Sequence, residues 1–305
     1  MTKTIDICIC TYRRPQLVET ISSVLKLTLP QGFDVRVLVV DNDDKPSARD
    51  AVENLAASAP LPLRYVHCPQ GNISVARNGA LSHSHARFLA FIDDDEIASP
   101  DWLLHLIQKI EHENADAVLG PVEAFYPEGA PEWMQRTRIH ATMPVWVDDK
   151  IITGYTCNVL IDRRSPALDN CSFDLSLGQS GGEDTAFFAD MVSKGGRIAF
   201  APKALLRETI PPNRVSFGWL LRRRFRMGQT HGRLVAEDGT SIRLWAITLC
   251  KVAYCAGGTA LQVLNTDRRN KAILRGTLHL GALSGMAGGP VLRQYGPEFT
   301  QRQSE

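Results

Sequence analysis

The amino-acid sequence predicts an α/β fold in which a mostly parallel sheet is covered by helices on both faces. Short apolar runs rich in β-branched residues recur along the first part of the chain, and segments with helical spacing separate them. Apolar residues make up 44% of the 305 residues, enough for a substantial core. Continuous apolar strands that alternate with helices are typical of a parallel sheet buried on both faces.

A β-α-β unit opens the chain. Its strands are "IDICIC" (residues 5–10) and "VRVLVVDN" (residues 35–42), and a helix is predicted between them over residues 16–29. This helix is predicted from apolar side chains that share one face, at Leu17, Ile21, Val24 and Leu25.

The alternation then continues along the chain. We predict a helix over residues 48–57, a strand over 63–67, a helix over 74–82, a strand over 86–93 and a helix over 102–113. The run "DAVLGPVEAFY" (residues 116–126) predicts one further strand. Residues 127–153 are rich in Pro and Trp, and we expect them to form a loop or insertion over the site.

Polar residues follow three of the predicted strands, at residues 11–14, 41–44 and 93–96. Ligands of parallel α/β sheets bind at the carboxyl ends of the strands. We therefore expect these three polar strand ends to form one site.

The last of these strand ends, "FIDDDE", is unusually acidic. Adjacent carboxylates such as Asp93, Asp94 and Asp95 repel one another unless a cation or hydrogen bonds offset the repulsion, so the sequence favours a cation site over a solvated turn. Oxygen ligands suit Mg²⁺ or Mn²⁺, and these ions usually share themselves with phosphate oxygens. A nucleoside diphosphate is thus the expected partner.

The sequence has no G-x-x-x-x-G-K-[ST] loop and no G-x-G-x-x-G after the first strand, which argues against P-loop and dinucleotide enzymes.

Charge and cysteine content exclude other classes. The formal charge of +1 gives no general attraction to nucleic acid. The seven cysteines are odd in number and lack C-x-x-C spacing, which favours a reducing compartment over a zinc ribbon or disulfide framework. The N-terminal apolar run is too short for a secretory signal peptide, so we expect the catalytic part to be cytoplasmic.

The C-terminal part contains two long apolar stretches, at residues 244–264 and 276–292. The first approaches the length needed to span a bilayer, although Lys251 interrupts it. The second contains small residues spaced by four, and a basic segment lies between the two stretches. The pattern favours two helices on or partly in a membrane, with a helical pair packed on the catalytic domain as the alternative. The small residues are Gly281, Gly285 and Gly289, and the basic ones are Arg268, Arg269 and Lys271.

Five strings occur in order along residues 3–210: "ICTYRRP", "VVDN", "GNISVARNGAL", "FIDDDE" with Pro100 and Trp102 after it, and "GGEDTAFFADMVSKGGRI". This series resembles the inverting glycosyltransferases of family 2, which have the GT-A fold, and most closely the bacterial members that build exopolysaccharides of the succinoglycan type. The resemblance implies a GT-A catalytic domain, which we place over residues 1–235. The apolar stretches beyond it predict a C-terminal helical region over 236–305, for which the pattern favours membrane association.

The resemblance also implies roles for residues at the donor end of the site. Its D-x-D element falls on Asp93 and Asp95, with Asp95 on the metal, Asp93 on the ribose side and the metal, and Asp94 in either role. Because Glu96 stands where the family often has another Asp, this register is open by one residue.

Further donor contacts follow from the other strings. The residues implied to contact the base and ribose are Thr11, Tyr12, Arg13, Asp41 and Asn42, with Asp41 on the uracil edge. Asp41 and Asn42 are also residues that turns favour. Arg77 is expected to pair with a phosphate or with Asp93, Asn78 is a weaker candidate, and Ser74 is a candidate N-cap.

The "GGED" string carries the implied catalytic residues. Inverting transfer needs a group that takes the proton from the acceptor hydroxyl, and the resemblance places this general base on Asp184, with Glu183 in support. The alternative is that both carboxylates only favour a helix N-terminus. Gly181 and Gly182 would let the acceptor or backbone come close.

The basic run "RRRFRMGQTHGR" is the last element of the predicted site. It is expected to bind the leaving diphosphate, although such a run is also typical of a solvated or membrane-facing surface. The diphosphate candidates are Arg222, Arg223, Arg224 and Arg226, and His231 is the candidate for a late metal ligand.

These features predict a metal-dependent inverting enzyme that transfers a hexose from a nucleotide sugar, expected to be UDP-linked, to a lipid-linked or polysaccharide acceptor. The absence of Q-x-x-R-W favours addition of a single sugar, and we expect the enzyme at the cytoplasmic face of the inner membrane. Two alternatives stay open. A nucleotidyltransferase acting on sugar phosphates usually needs a glycine-rich loop that "CTYRRP" lacks, and a non-catalytic sugar-nucleotide-binding protein would not need "GGED".

Overall fold

The structure, a computed structural model, describes residues 3–237, 239, 241–290 and 292. Its strands are β1 (Lys3–Thr11), β2 (Phe33–Asp41), β3 (Leu63–His67), β4 (Phe88–Asp93), β5 (Glu96–Ala98), β6 (Ala117–Leu119), β7 (Val122–Phe125), β8 (Trp146–Val147), β9 (Lys150–Ile151), β10 (Asn158–Asp162), β11 (Ile198–Phe200) and β12 (Leu206–Thr209). Its helices are α1 (Leu17–Val24), α2 (Arg49–Ala56), α3 (Ile73–His83), α4 (Trp102–Glu113), α5 (Glu132–Thr137), α6 (Glu183–Ser193), α7 (Phe217–Glu237), α8 (Ile242–Leu261) and α9 (Thr266–Met286).

A seven-stranded sheet of order β11-β6-β10-β4-β1-β2-β3 forms the centre of the fold. Its pairings are parallel except for those of β10, which runs antiparallel to β4 and β6. The register of β1 places Thr11 beside Asp41 of β2 and Cys10 beside Asp93 of β4. The prediction that polar strand ends meet at one edge of a mostly parallel sheet is therefore confirmed.

The sheet is buried on both faces, as continuous apolar strands predict. Alternate residues of β1 divide between two cores, with Ile7 in one and Cys8 in the other. Ile21 of α1 packs into the first core, and Phe188 of α6 packs into the second. The helices thus cover the sheet from both sides and hold the strand ends in fixed positions.

The run predicted as one strand over residues 116–126 is two strands in two sheets. β6 belongs to the central sheet, whereas β7 belongs to a three-stranded sheet of order β5-β12-β7. The break falls at Gly120 and Pro121, and Pro121 has no backbone N–H to donate to a continuing ladder. The small sheet brings β12 beside β5, directly after the acidic strand end.

The region expected to be a loop, residues 127–153, contains secondary structure of its own. It forms the short helix α5 and a two-stranded hairpin of β8 and β9. Trp146 and Val147 of that hairpin are exposed.

Helix α7 packs along α9, and α8 also lies against α9. The α7–α9 contact is close because Gly228 and Gly281 lack side chains. A Cβ on Gly228 would overlap the carbonyl oxygen of Leu278, and a Cβ on Gly281 would overlap that of Phe225. The small residues of α9 therefore allow it to pack closely on α7. Helix α7 begins at Phe217, well before the predicted domain boundary after residue 235. That boundary stays a prediction, and most of the predicted C-terminal region beyond residue 290 lies outside the described residues.

Candidate active site

Arg77 of α3 lies at the centre of the polar strand ends. Its guanidinium forms an ion pair with Glu183 and lies 4.0 Å from the carboxylate of Asp93. The side chains of Arg77 and Glu183 are 8% and 4% exposed. Burial disfavours the cation, but the negative charges of Glu183, Asp184 and Asp93 raise the pKa of Arg77 above its usual value. Arg77 thus joins the acidic strand end to the start of α6, as the sequence predicted for its contact with Asp93.

The acidic turn after β4 is held by protein contacts on both sides. Arg14 lies 3.7 Å from the carboxylate of Asp94 and 3.6 Å from that of Asp95. The backbone N–H of Asp93 donates to the buried carboxylate of Glu96 at 3.1 Å. Arg14 belongs to the polar strand end predicted over residues 11–14, although no individual role was predicted for it.

Glu208 is a second site residue that the sequence did not reveal. The antiparallel pairing of β12 with β5 places it opposite Glu96. Arg214 donates to its carboxylate at 2.8 Å. Burial, and then the negative charge of Asp95, raises the pKa of Glu208. Nothing in the string "LLRETI" distinguishes this glutamate from a surface residue, since only the strand pairing brings it to the site.

This crowding of carboxylates fits a divalent cation. Burial first, and then neighbouring carboxylates, raise the pKa of Asp93 to about 6 and that of Asp94 to about 7. Repulsion between these carboxylates adds to the effect of burial, and a bound cation would relieve that repulsion. Within the described residues no three His, Cys, Asp or Glu side chains converge as a complete ligand set. A cation here would rely on Asp93 and Asp95 together with water or phosphate oxygens, which is the coordination that Mg²⁺ and Mn²⁺ commonly accept.

His231, the predicted late metal ligand, lies on α7. Burial and then the positive charge of Lys251 lower its pKa, and its charge in turn acts on His279 of α9. His231 joins no cluster of metal-ligating side chains in the described part of the chain, and its role as a ligand stays a prediction.

Asp41 occupies a different environment from the one predicted for a base-recognising carboxylate. It is fully buried, and one of its oxygens accepts from the N–H of Asp43 at 3.0 Å. The other accepts from the N–H of Ala48 at 2.9 Å and from the hydroxyl of Tyr65 at 2.8 Å. Asp41 therefore shapes the loop after β2, and contact between this buried carboxylate and a base stays a prediction.

Thr11 and Asn42 are also buried and tie this edge of the sheet together. The N–H of Asn42 donates to the carbonyl of Thr11 at 2.9 Å, and its side-chain amide donates to the carbonyl of Cys68 at 2.7 Å. Both residues of the predicted donor set therefore support the loops that border the site.

Tyr12 and Arg13 form the more open part of the same edge. The N–H of Tyr12 lies 3.4 Å from the carboxylate of Asp94. Arg13 has a left-handed backbone with φ of 54° and donates to the carboxylate of Asp43 at 2.8 Å. Burial opposes ionisation, but the bond from Arg13 lowers the pKa of Asp43. Asp43 was not predicted individually, although the acidic run after β2 contains it.

Helix α3 holds the loop that precedes the "GGED" string. The side-chain amide of Asn78 donates to the carbonyl of Phe173 and accepts from its N–H, both at 2.8 Å. The N-cap of α3 is Asn72, which accepts from the N–H of Ser74 at 2.9 Å. The expectation that Ser74 caps this helix was therefore wrong, and its hydroxyl instead donates to the carbonyl of Asp174.

Asp184 lies half-buried in the first turn of α6, directly after the buried Glu183. A helix N-terminus favours the ionised state of a carboxylate, in which it can accept a proton. The N-cap is Gly182, whose φ of 102° suits glycine. A Cβ at this position would also overlap Thr230 of α7.

The predicted basic residues of α7 differ in their positions. Arg222 is exposed, whereas Arg223 lies over the ring of Trp219 at 5.2 Å. Burial lowers the pKa of Arg223 and of Arg224. Arg226 donates to the carbonyl of Ser180 at 2.7 Å, just before the "GGED" string. Helix α7 therefore borders the site through Arg223 and Arg226.

Comparisons with known proteins agree with this architecture. The family model described as Glycosyl transferase family 2 matches residues 6–166. The succinoglycan biosynthesis protein ExoM of Rhizobium meliloti (strain 1021) is 49% identical over 295 residues, which is 96% of each chain.

Solved structures are similar at lower identity and show the fold. The mannosyltransferase PcManGT from Pyrobaculum calidifontis, in complex with GDP-Man and Mn²⁺, has a TM-score of 0.65 and 16% identity, over 94% of this chain and 88% of that chain. S. aureus TarS 1–349, in complex with UDP-GlcNAc, has a TM-score of 0.53 and 15% identity, over 94% of this chain and 92% of that chain.

Proposed function

The chain belongs to glycosyl transferase family 2 and has the GT-A fold, and from this premise we propose that it transfers a hexose from a nucleotide sugar to a lipid-linked glycan. The observation that carries the proposal is the position of Arg77. Its guanidinium lies between Asp93 at the proposed donor end and Glu183, the neighbour of the proposed base. One buried cation thus couples the two halves of a transfer site.

For the donor, we propose a UDP-sugar bound at the edge formed by Tyr12, Arg13 and the loop after β2. TarS 1–349 is solved with UDP-GlcNAc, whereas PcManGT is solved with GDP-Man, so both nucleotide classes need to be tested. Because Asp41 is fully buried and both of its oxygens accept hydrogen bonds from the protein, base recognition would rely on the more open residues of this edge.

Asp93 and Asp95 would hold Mg²⁺ or Mn²⁺, and the bound ion would offset negative charge on the leaving diphosphate. Arg14 contacts this acidic turn, and Arg223 lies on the helix that borders the site. These two side chains would supply positive charge from the protein itself. The arrangement supports a donor whose leaving group is a diphosphate.

Asp184 would act as the general base. The acceptor oxygen forms a bond to the anomeric carbon on the face opposite the diphosphate, and the proton of the hydroxyl passes to the Asp184 carboxylate. The bond from the anomeric carbon to the phosphate oxygen breaks, and its electron pair leaves with the nucleoside diphosphate. One displacement of this kind inverts the configuration, as the sequence resemblance implies.

The proposed acceptor is a lipid-linked glycan in exopolysaccharide synthesis, which agrees with the 49% identity to a succinoglycan biosynthesis protein. Within the described residues one helix, α8, has the length and composition to cross a membrane, and only 11% of its apolar stretch is buried. We propose that the enzyme works at the cytoplasmic face of a membrane, with α8 in contact with lipid.

A nucleotide-sugar panel tests the proposal directly. The full chain is mixed with UDP- and GDP-sugars, with and without Mn²⁺, and its melting temperature is measured together with the release of nucleoside diphosphate. We expect one class of nucleotide sugar to raise the melting temperature only when Mn²⁺ is present. The protein should convert the same class to free nucleoside diphosphate. Absence of any shift would contradict the proposal. In a parallel reaction supplied with UTP or GTP and a sugar 1-phosphate, release of pyrophosphate would indicate nucleotidyl transfer instead.

A further inference from the structure

A cavity of about 400 Å³ lies between α8 and α9, apart from the proposed transfer site. Most of its lining is apolar and includes Ile247 and Tyr254. Four basic side chains also line it: Arg243 and Lys251 from α8, and Arg275 and His279 from α9. No carboxylate is among the described residues that line this cavity, so its charged side chains are all cationic.

One polar atom of a residue that lines this cavity lacks a partner. Nε2 of His279 is buried, and it has no hydrogen-bond partner among the described residues. Burial, and then the positive charges of Lys251, Arg275 and His231, lower the pKa of His279. A buried polar atom without a partner is costly, and in the tautomer with its proton on Nε2 this atom would donate to an anion held by the surrounding cations.

The same helix exposes a large apolar surface. Leu249, Tyr254 and Leu261 of α8 are 54%, 76% and 88% exposed. An apolar face of this size next to basic side chains is typical of a helix that lies in the interfacial region of an anionic membrane. Tyr254 belongs both to this face and to the cavity lining, so the cavity adjoins the surface that would meet lipid.

We propose that the cavity between α8 and α9 binds the phosphate of an anionic phospholipid, whose acyl chains lie along the exposed apolar face of α8. The phosphate would be bound by Arg243, Lys251 and Arg275 and would accept from Nε2 of His279. This inference rests on the membrane-contact part of the proposed function and adds a defined headgroup site to it. A soluble phosphate offers nothing to the apolar surface beside the cavity, which is why the phospholipid is the favoured occupant.

Vesicle co-sedimentation of the full chain tests this site. Phosphatidylcholine vesicles with and without phosphatidylglycerol are compared for the wild type, for the cavity variant and for a control variant with the same charge change. The cavity variant combines Arg243→Gln, Lys251→Gln and Arg275→Gln. The control variant combines Arg268→Gln, Arg269→Gln and Lys271→Gln, which lie at the start of α9 outside the cavity lining.

We expect the wild type to prefer phosphatidylglycerol vesicles and inorganic phosphate to leave this binding unchanged. The cavity variant should bind at least about tenfold more weakly than the control variant. Both variants lose three positive charges, so general attraction to the anionic surface weakens equally, and any further loss must come from the cavity. If both variants lose vesicle binding equally, general attraction to the negative surface potential explains the effect. If the wild type binds both vesicle types equally, apolar contact alone explains binding. Displacement by inorganic phosphate would indicate a site for a soluble anion. Each of these three results would overturn the proposal.

Circular dichroism checks the folding of each variant, and the single change Arg275→Gln at an exposed position provides a milder test in the same direction. The nucleotide-sugar melting shift is measured on the same samples. A wild type that binds phosphatidylglycerol without any donor shift would refute the transferase proposal alone. A donor shift without preference for phosphatidylglycerol would refute the headgroup site alone.

Discussion

Replacing Arg77 with methionine would leave the carboxylate of Glu183 buried without its cation. The two side chains are 8% and 4% exposed. Removal of one partner from a buried pair costs about 3–5 kcal/mol, because an uncompensated charge stays in the interior. At about 2.1 cal/mol/K of unfolding entropy per residue, the 305-residue chain should lose about 5–8 °C in Tm.

Urea unfolding of four proteins measures this effect: the wild type, Arg77→Met, Glu183→Gln and the double variant. Because Glu183→Gln removes the buried charge, the double variant should be more stable than Arg77→Met by at least about 1 kcal/mol. Arg138→Met is the matched control. Its partner is Glu123, and with side chains 63% and 37% exposed, loss of that pair should cost less than about 1 kcal/mol.

Two results would refute the reasoning about Arg77. One is a loss of stability in Arg77→Met no larger than that in the control variant. The other is a double variant that is less stable than Arg77→Met, since Glu183 would then contribute independently of its charge partner.

Three further predictions concern packing, pH and the loop before α6. Gly228→Ala should destabilise the chain by about 1–3 kcal/mol in urea unfolding because α7 and α9 must separate, whereas Gly218→Ala, with open space around it, should be neutral or stabilising. Burial, and then nearby arginines, lower the pKa of His140 to about 4, so stability should fall by up to about 3 kcal/mol as pH drops from 6.5 to 4. His140→Gln should flatten the pH dependence of the unfolding free energy between pH 6.5 and 4. An unchanged dependence would show that His140 is not the titrating group. Gly182→Ala should abolish transfer while donor binding persists. Adding Thr230→Ala should remove the overlap between the new Cβ and Thr230 but restore transfer only in part, because the φ of 102° still disfavours alanine.

The central architecture could be predicted because its signals are local. Continuous β-branched runs mark β1 and β2, and the parallel register then brings Thr11, Asp41 and Asp93 to one edge without further information. The strand over residues 63–67 and the helix over residues 102–113 were predicted with the bounds that the structure gives them.

The remaining features depend on contacts between distant segments. Glu208 joins the site through strand pairing, and Gly228 faces Leu278 through helix packing. The residues adjacent in sequence therefore do not predict either role. The apolar run over residues 116–126 concealed a change of sheet, because strand periodicity continues across the break. Asp41 follows a strand as a ligand would, yet the folded loop engages both of its oxygens.

The transfer rate of Asp184→Asn tests the central claim most directly. The substitution keeps the size of the side chain and removes the proton acceptor, so donor binding measured by thermal shift should be unchanged. The rate of hexose transfer should fall by about 10²–10⁴-fold, the usual contribution of a general base. A variant that binds the donor and retains the full transfer rate would contradict the assignment of Asp184 as the base.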